Sequence, residues 1–98
     1  MKNKIVRKID NQNRLQLPSM LMEFVNLTDE KILAICPGEE ETMIKLRKII
    51  NTKNCKIIGF VKVDDRGRIV IPPEIRQETQ YFEIYVFNGE LIIKEAPE

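Results

Sequence analysis

The chain has 98 residues, room for one compact domain or for two half-size units that share a core. Apolar residues make up 43% and charged residues 32%. That is globular composition with no apolar run long enough for a transmembrane helix, and the basic start Met1-Lys2-Asn3-Lys4 has no apolar signal core behind it, so a cytoplasmic protein is expected. The net charge of +1 hides an alternation: residues 1–20 carry +4, residues 21–43 carry −5, residues 44–68 carry +6 and residues 69–98 carry −4, which predicts one basic and one acidic side.

In chain order, Ile5 to Ile9 is rich in β-branched and apolar residues and reads as a strand. Asn11-Gln12-Asn13 follows as a turn, with Asn13 placed to hold a left-handed corner and Asp10 to cap its free N–H groups. Leu15-Gln16-Leu17 alternates as the return strand, and Pro18 ends it and admits a short helix over about 19–25. Residues 31–35 and 42–46 read as a hairpin turning through Pro37-Gly38. Asn51-Thr52-Lys53-Asn54-Cys55 is polar and aperiodic, a linker over 51–56. Then the order recurs. Phe60 to Val63 is a strand, Asp65-Arg66-Gly67 a turn with Gly67 at the corner, and Ile69-Val70-Ile71 a return strand ended by Pro72. A short helix over 73–79 follows. The last hairpin, 83–87 and 90–94, turns at Asn88-Gly89, a strong two-residue hairpin signal.

The recurrence has a fixed offset. Residues 8–18 lie over residues 62–72 without a gap, 54 apart, with Lys, Asp, Arg and Pro identical and the apolar positions matched by type. Residues 1–50 and 57–98 thus read as two units. Each is too small for its own core, so both are expected in one shared-core, mainly β barrel with short helices.

Chemistry is sparse. No histidine is present, which removes histidine bases, histidine-based triads and histidine-ligated zinc. Cys36 and Cys55 are too few for a disulfide scaffold, and neither has a second Cys or His at metal spacing. Carboxylates occur in pairs, but without a glycine-rich phosphate loop or an activated nucleophile. No enzyme, no metal, no cofactor and no small-molecule substrate are expected. Arg7, Lys8, Lys62, Arg66 and Arg76 are candidates for phosphate contact. Arg14 and Arg68 stand just after their turns. They either reach a phosphate or guanine edge, or fold back onto Asp10 and Asp64. Lys45, Arg47, Lys48, Lys53 and Lys56 could extend the basic footprint. Glu39-Glu40-Glu41 reads as a solubilising turn away from it. Met20, Met22, Met43 and Phe24 are expected in the core or an interface.

The block from Ile5 to Asp10 with Arg14, Leu17 and Pro18 resembles the DNA-binding domain of the AbrB/SpoVT family. Asp64-Asp65-Arg66-Gly67-Arg68-Ile69-Val70-Ile71-Pro72-Pro73-Glu74-Ile75-Arg76 resembles it more closely. Two copies of Asp-x-x-x-Arg in one chain are also similar to the MraZ family. The resemblance implies a swapped-hairpin barrel, two tandem units forming a pseudo-dimer, and a cytoplasmic regulator of transcription. Duplex DNA would be its partner, through Arg7, Lys8, Arg14, Lys62, Arg68 and Arg76, beside Arg66, which its basic character alone makes a candidate. A homodimer or a protein partner is the further assembly it allows. The chain departs from the pattern at Met22, which stands where Arg76 stands in the second copy, at Glu23, and at Val61, which stands where Arg7 stands in the first. Those positions motivate the alternative, a protein-interaction or antitoxin-like module that kept the barrel.

Overall fold

The computed structural model describes residues 4–75 and 79–96. The first half contributes β1 (Ile5–Lys8), β2 (Arg14–Gln16), α1 (Ser19–Phe24), β3 (Ile32–Pro37) and β4 (Met43–Arg47), and a 3-10 turn follows at Ile49–Asn51. The second half contributes β5 (Gly59–Lys62), β6 (Arg68–Val70), a 3-10 turn at Pro73–Ile75, β7 (Tyr81–Phe87) and β8 (Glu90–Glu95). The fold is mainly β, with one short α-helix among the described residues. Where a second helix was expected over 73–79, Ile75 N–H donates to Pro72 C=O at 3.2 Å, the tighter i→i+3 bond of a 3-10 turn. Residues 76–78, including the candidate Arg76, lie outside the described residues. The linker also starts with structure, because Asn51 N–H donates to Lys48 C=O at 2.9 Å.

Six antiparallel strands form one sheet in the order β1-β7-β8-β4-β3-β5. The outer strand of each half therefore pairs with the closing hairpin of the other half. The registers correspond: Arg7 lies opposite Phe82, and Val61, 54 residues later, lies opposite Leu33. In the middle, Ile44 lies opposite Ile93 and Leu46 opposite Leu91. The sheet is not closed into a barrel. β1 and β5 stay at its edges, while β2 and β6 use their ladder bonds on each other, with Leu15 opposite Ile69.

Alternation divides each strand between two faces. The inner face is one apolar cluster drawn from both halves, with Leu15, Leu33, Phe82, Ile84, Leu91 and Ile93 fully buried. α1 turns Leu21 and Met22 into this cluster. Met20 and Phe24, four residues apart, share the opposite side of the helix and are 68% and 76% exposed. Of the core or interface role expected for them, Met22 takes the core, while Met20 and Phe24 are outside it, because a six-residue helix has only one inward side.

The outer face is bound differently. Ala34, Cys36, Tyr85 and Ile92 are buried there without joining the inner cluster. Ion pairs cross the surface around them. Glu90 accepts from Arg47 Nε at 2.6 Å and lies 3.5 Å from Lys45 Nζ, Lys94 pairs with Glu40 at 3.0 Å, and Lys4 with Glu83 at 3.4 Å. The hydrogen bond that Lys94 Nζ donates to Glu40 outweighs the opposing desolvation and raises the Lys94 pKa above the ordinary lysine value. A disulfide joins Cys36 on β3 to Cys55 in the linker, Cα–Cα 6.1 Å. Two cysteines do not make a scaffold, but here they strap the linker to the sheet. Among the described residues no helix is long and apolar enough to cross a membrane.

Candidate nucleic-acid interface

Two turns are built alike. In the first, Asp10 Oδ1 accepts from the N–H groups of Gln12 and Arg14, both at 2.9 Å, and its Oδ2 accepts from Arg14 Nε at 2.8 Å. In the second, Asp64 Oδ1 accepts from the N–H groups of Arg66 at 2.9 Å and Arg68 at 2.8 Å, and its Oδ2 from Arg68 Nε at 2.8 Å. The chain can close these turns because the residue before each arginine takes positive φ: 63° at Asn13 and 76° at Gly67. Each turn is sealed by two backbone bonds, Asp10 N–H to Arg14 C=O at 3.0 Å with Asn13 N–H to Asp10 C=O at 2.9 Å, and Asp64 N–H to Arg68 C=O with Gly67 N–H to Asp64 C=O, both at 3.0 Å.

The carboxylates are therefore stabilised as anions. The N–H of Arg14 is the main cause holding the Asp10 pKa below 3.8, helped by the Arg14 side chain and the Gln12 N–H, and the Arg68 and Arg66 groups act likewise on Asp64. Each aspartate engages only the Nε of its arginine. Among the described residues no partner takes the terminal Nη groups of Arg14 or Arg68. Both alternatives set out for these arginines can thus coexist. The ion pair fixes the side chain, and the far edge of the guanidinium remains available as a planar donor pair.

β2 and β6 bring the two turns together. With Leu15 and Ile69 turned inward, the outward face of this ribbon carries Arg14 opposite Val70 and Gln16 opposite Arg68. Gln16 was not singled out in the sequence, yet its Nε2 donates to Arg66 C=O at 2.6 Å and ties one half's strand to the other half's turn. Only the cross-strand register places it there, so no local signal could have marked it. Arg66 itself is exposed on that turn.

The other candidates are spread around this ribbon. Lys8 is exposed at the end of β1, with its ammonium 5.9 Å from the Tyr81 ring centre, and Lys62 is exposed at the end of β5, opposite Ile32. Arg7 alternates with outward Val6 and Lys8, so it lies half-buried on the same side of β1 as Ile5. Lys45 and Arg47 are held by Glu90 on the outer sheet face, which separates them from the turns. Among the described residues no cluster of Cys, Asp or Glu could hold a metal ion. In comparisons with known families and with curated proteins, the chain matches no family model and no curated protein.

Proposed function

We propose that this chain is a DNA-binding regulator of transcription of the AbrB/SpoVT type, a swapped-hairpin arrangement of two tandem units. The observation that carries the reading is the pair of clamped arginines. Arg14 and Arg68 come from different halves, share the outward face of one two-stranded ribbon, and have no partner for their Nη edges among the described residues. A two-stranded ribbon fits the major groove of duplex DNA, where a guanidinium can donate to two acceptors on guanine. Lys8, Lys62 and Arg66 flank the ribbon as phosphate contacts, which set affinity and orientation rather than sequence choice. The exchange of strands between halves also supports the reading, since β1 pairs with β7 and β5 with β3.

The reading puts the chain in the cytoplasm. A disulfide is unusual in a reducing compartment. Cys36 is only 2% exposed, so reductant must approach through Cys55.

Fluorescence anisotropy on an AT-rich duplex pool tests the proposal. Two phosphate contacts alone weaken binding about tenfold between about 50 and about 200 mM salt. Binding should fall at least that much, and an Arg14→Ala/Arg68→Ala chain should lose it at both salts. Equal affinity at the two salts, or an unchanged double variant, overturns the reading.

A further inference from the structure

The second hairpin opens into a groove. Beyond the rung from Asp64 N–H to Arg68 C=O, no described bond joins β5 to β6. Val61 and Gly59 point their backbone groups at β3, since Val63 N–H donates to Lys31 C=O at 2.8 Å in the same alternating ladder. Phe60 and Lys62 therefore turn theirs toward the gap. On its far side, Ile71 N–H donates to Asn13 C=O at 2.9 Å, which by the same alternation turns the backbone groups of Val70 into the gap. The opening has a volume of about 480 Å³, and Ile58, Phe60, Val70 and Pro73 line it. Phe60 is 56% and Val70 55% exposed.

The first half supplies an internal comparison. The positions 54 residues before Ile58, Phe60, Val70 and Pro73 are Lys4, Val6, Gln16 and Ser19. Three of the four polar or smaller groups thus become apolar in the second half, and the fourth gains an aromatic ring. Folding does not require this, because all four side chains are exposed in the second half, and in the first only Gln16 is half-buried. Among the described residues no carboxylate lines the groove, whereas Lys62 lines it and Lys56 stands two residues before Ile58. Neither lysine is in an ion pair among the described residues.

We infer that the β5 edge is a docking site for an extended segment of a partner protein, apolar at alternate positions and flanked by Asp or Glu. The segment adds a strand beside β5, taking main-chain bonds from Phe60 and Lys62. Its apolar side chains cover Phe60 and Val70, and its acidic flanks meet Lys56 and Lys62. This charge complementarity chooses an acidic partner over a second copy, since two such edges face to face would oppose lysines. The site goes beyond DNA binding and does not depend on it.

Selection of a random twelve-residue peptide library on the whole chain tests the inference. Peptides enriched on this chain, but not on a Val70→Asp chain, should alternate apolar residues between acidic flanks. The best of them should bind Phe60→Lys at least tenfold more weakly and should slow amide exchange at Phe60, Lys62 and Val70. Because Phe60 and Val70 are exposed, both variants should keep the Leu15 and Ile69 amide protection of the parent, which checks that they fold. No enrichment over Val70→Asp, enrichment of basic peptides, or protection elsewhere overturns the inference. So does self-association in sedimentation that Val70→Asp abolishes, because it makes a second copy the occupant.

Discussion

The turns Asp10–Arg14 and Asp64–Arg68 agree bond for bond, while the positions beside them differ: Ile58, Phe60, Val70 and Pro73 line a groove in the second half where Lys4, Val6, Gln16 and Ser19 stand in the first. The difference separates two kinds of constraint. A turn that must satisfy two N–H groups and one guanidinium with a single carboxylate keeps its aspartate and its arginine, while the three residues between them change from Asn11-Gln12-Asn13 to Asp65-Arg66-Gly67. The strand position beyond the turn lies outside that geometry and changes from Gln16, half-buried and bonded to Arg66 C=O, to an exposed Val70. A second contrast has the same form. Cys36 and Tyr85 occupy corresponding buried places on β3 and β7. The segment leading to β5 is held there by the Cys36–Cys55 disulfide, whereas Lys4, just before β1, lies 5.2 Å from the Tyr85 ring centre. One half uses a covalent bond where the other uses a cation over a ring.

If the halves are equivalent at the ribbon, truncation should cost them equally. Leu15→Ala and Ile69→Ala each remove a fully buried side chain, and each should lower unfolding free energy in denaturant by about 3 kcal/mol. A difference of more than about 1 kcal/mol between them would break the equivalence. The two strapped junctions should differ. Cys36→Ser/Cys55→Ser opens a loop of sequence separation 19 and should cost about 3 kcal/mol, and reducing agent should then have no further effect on stability. Thermal unfolding with and without reductant measures both.

The corners should respond by residue type. Gly67→Ala forces a Cβ into positive φ, 3.3 Å from the flexible Gln16 amide, and should cost about 1 kcal/mol. Asn13→Gly should change stability by less than about 0.5 kcal/mol, because both residues accept that conformation. The smallest effect is in acid. Asp10 and Asp64 have folded pKa values lowered below 3.8, so their contribution is complete above that ordinary value and drains away as pH falls through the lower one. Asp10→Asn and Asp64→Asn should each flatten the acid limb of the stability curve by the same amount. An unequal flattening would show that the matched geometry conceals unequal electrostatics.

Much of this architecture is written locally. β-branched and apolar runs between turn residues place the strands to within about two residues, with alternation plain in β1 and β4 and lost in β3, which is buried on both faces. Asn88-Gly89 marked the last hairpin for an equally local reason, with φ of 53° and 74° there. What needed the folded chain was long-range. The pairing of β1 with β7 and of β5 with β3 depends on register between distant segments, which no single window carries. The disulfide is of the same kind, since Cys55 reads as part of a polar linker until β3 passes beneath it. In the candidate interface, the basic residues were visible by type, but the Gln16–Arg66 bond and the open Nη edges follow from the ribbon's pairing.

The strap between Cys36 and Cys55 also fixes how the molecule would answer a pull. β4 lies wholly inside the closed loop and is the strand that joins the two halves of the sheet through β8. Stretched from its two ends, the oxidised chain would peel β8 from β4 but could not draw β4 out straight. With a sequence separation of 19, at about 3.4 Å per residue, it would stop about 60 Å short of the contour length reached by the reduced chain. The tether thus converts a chemical state of two sulfurs into a length.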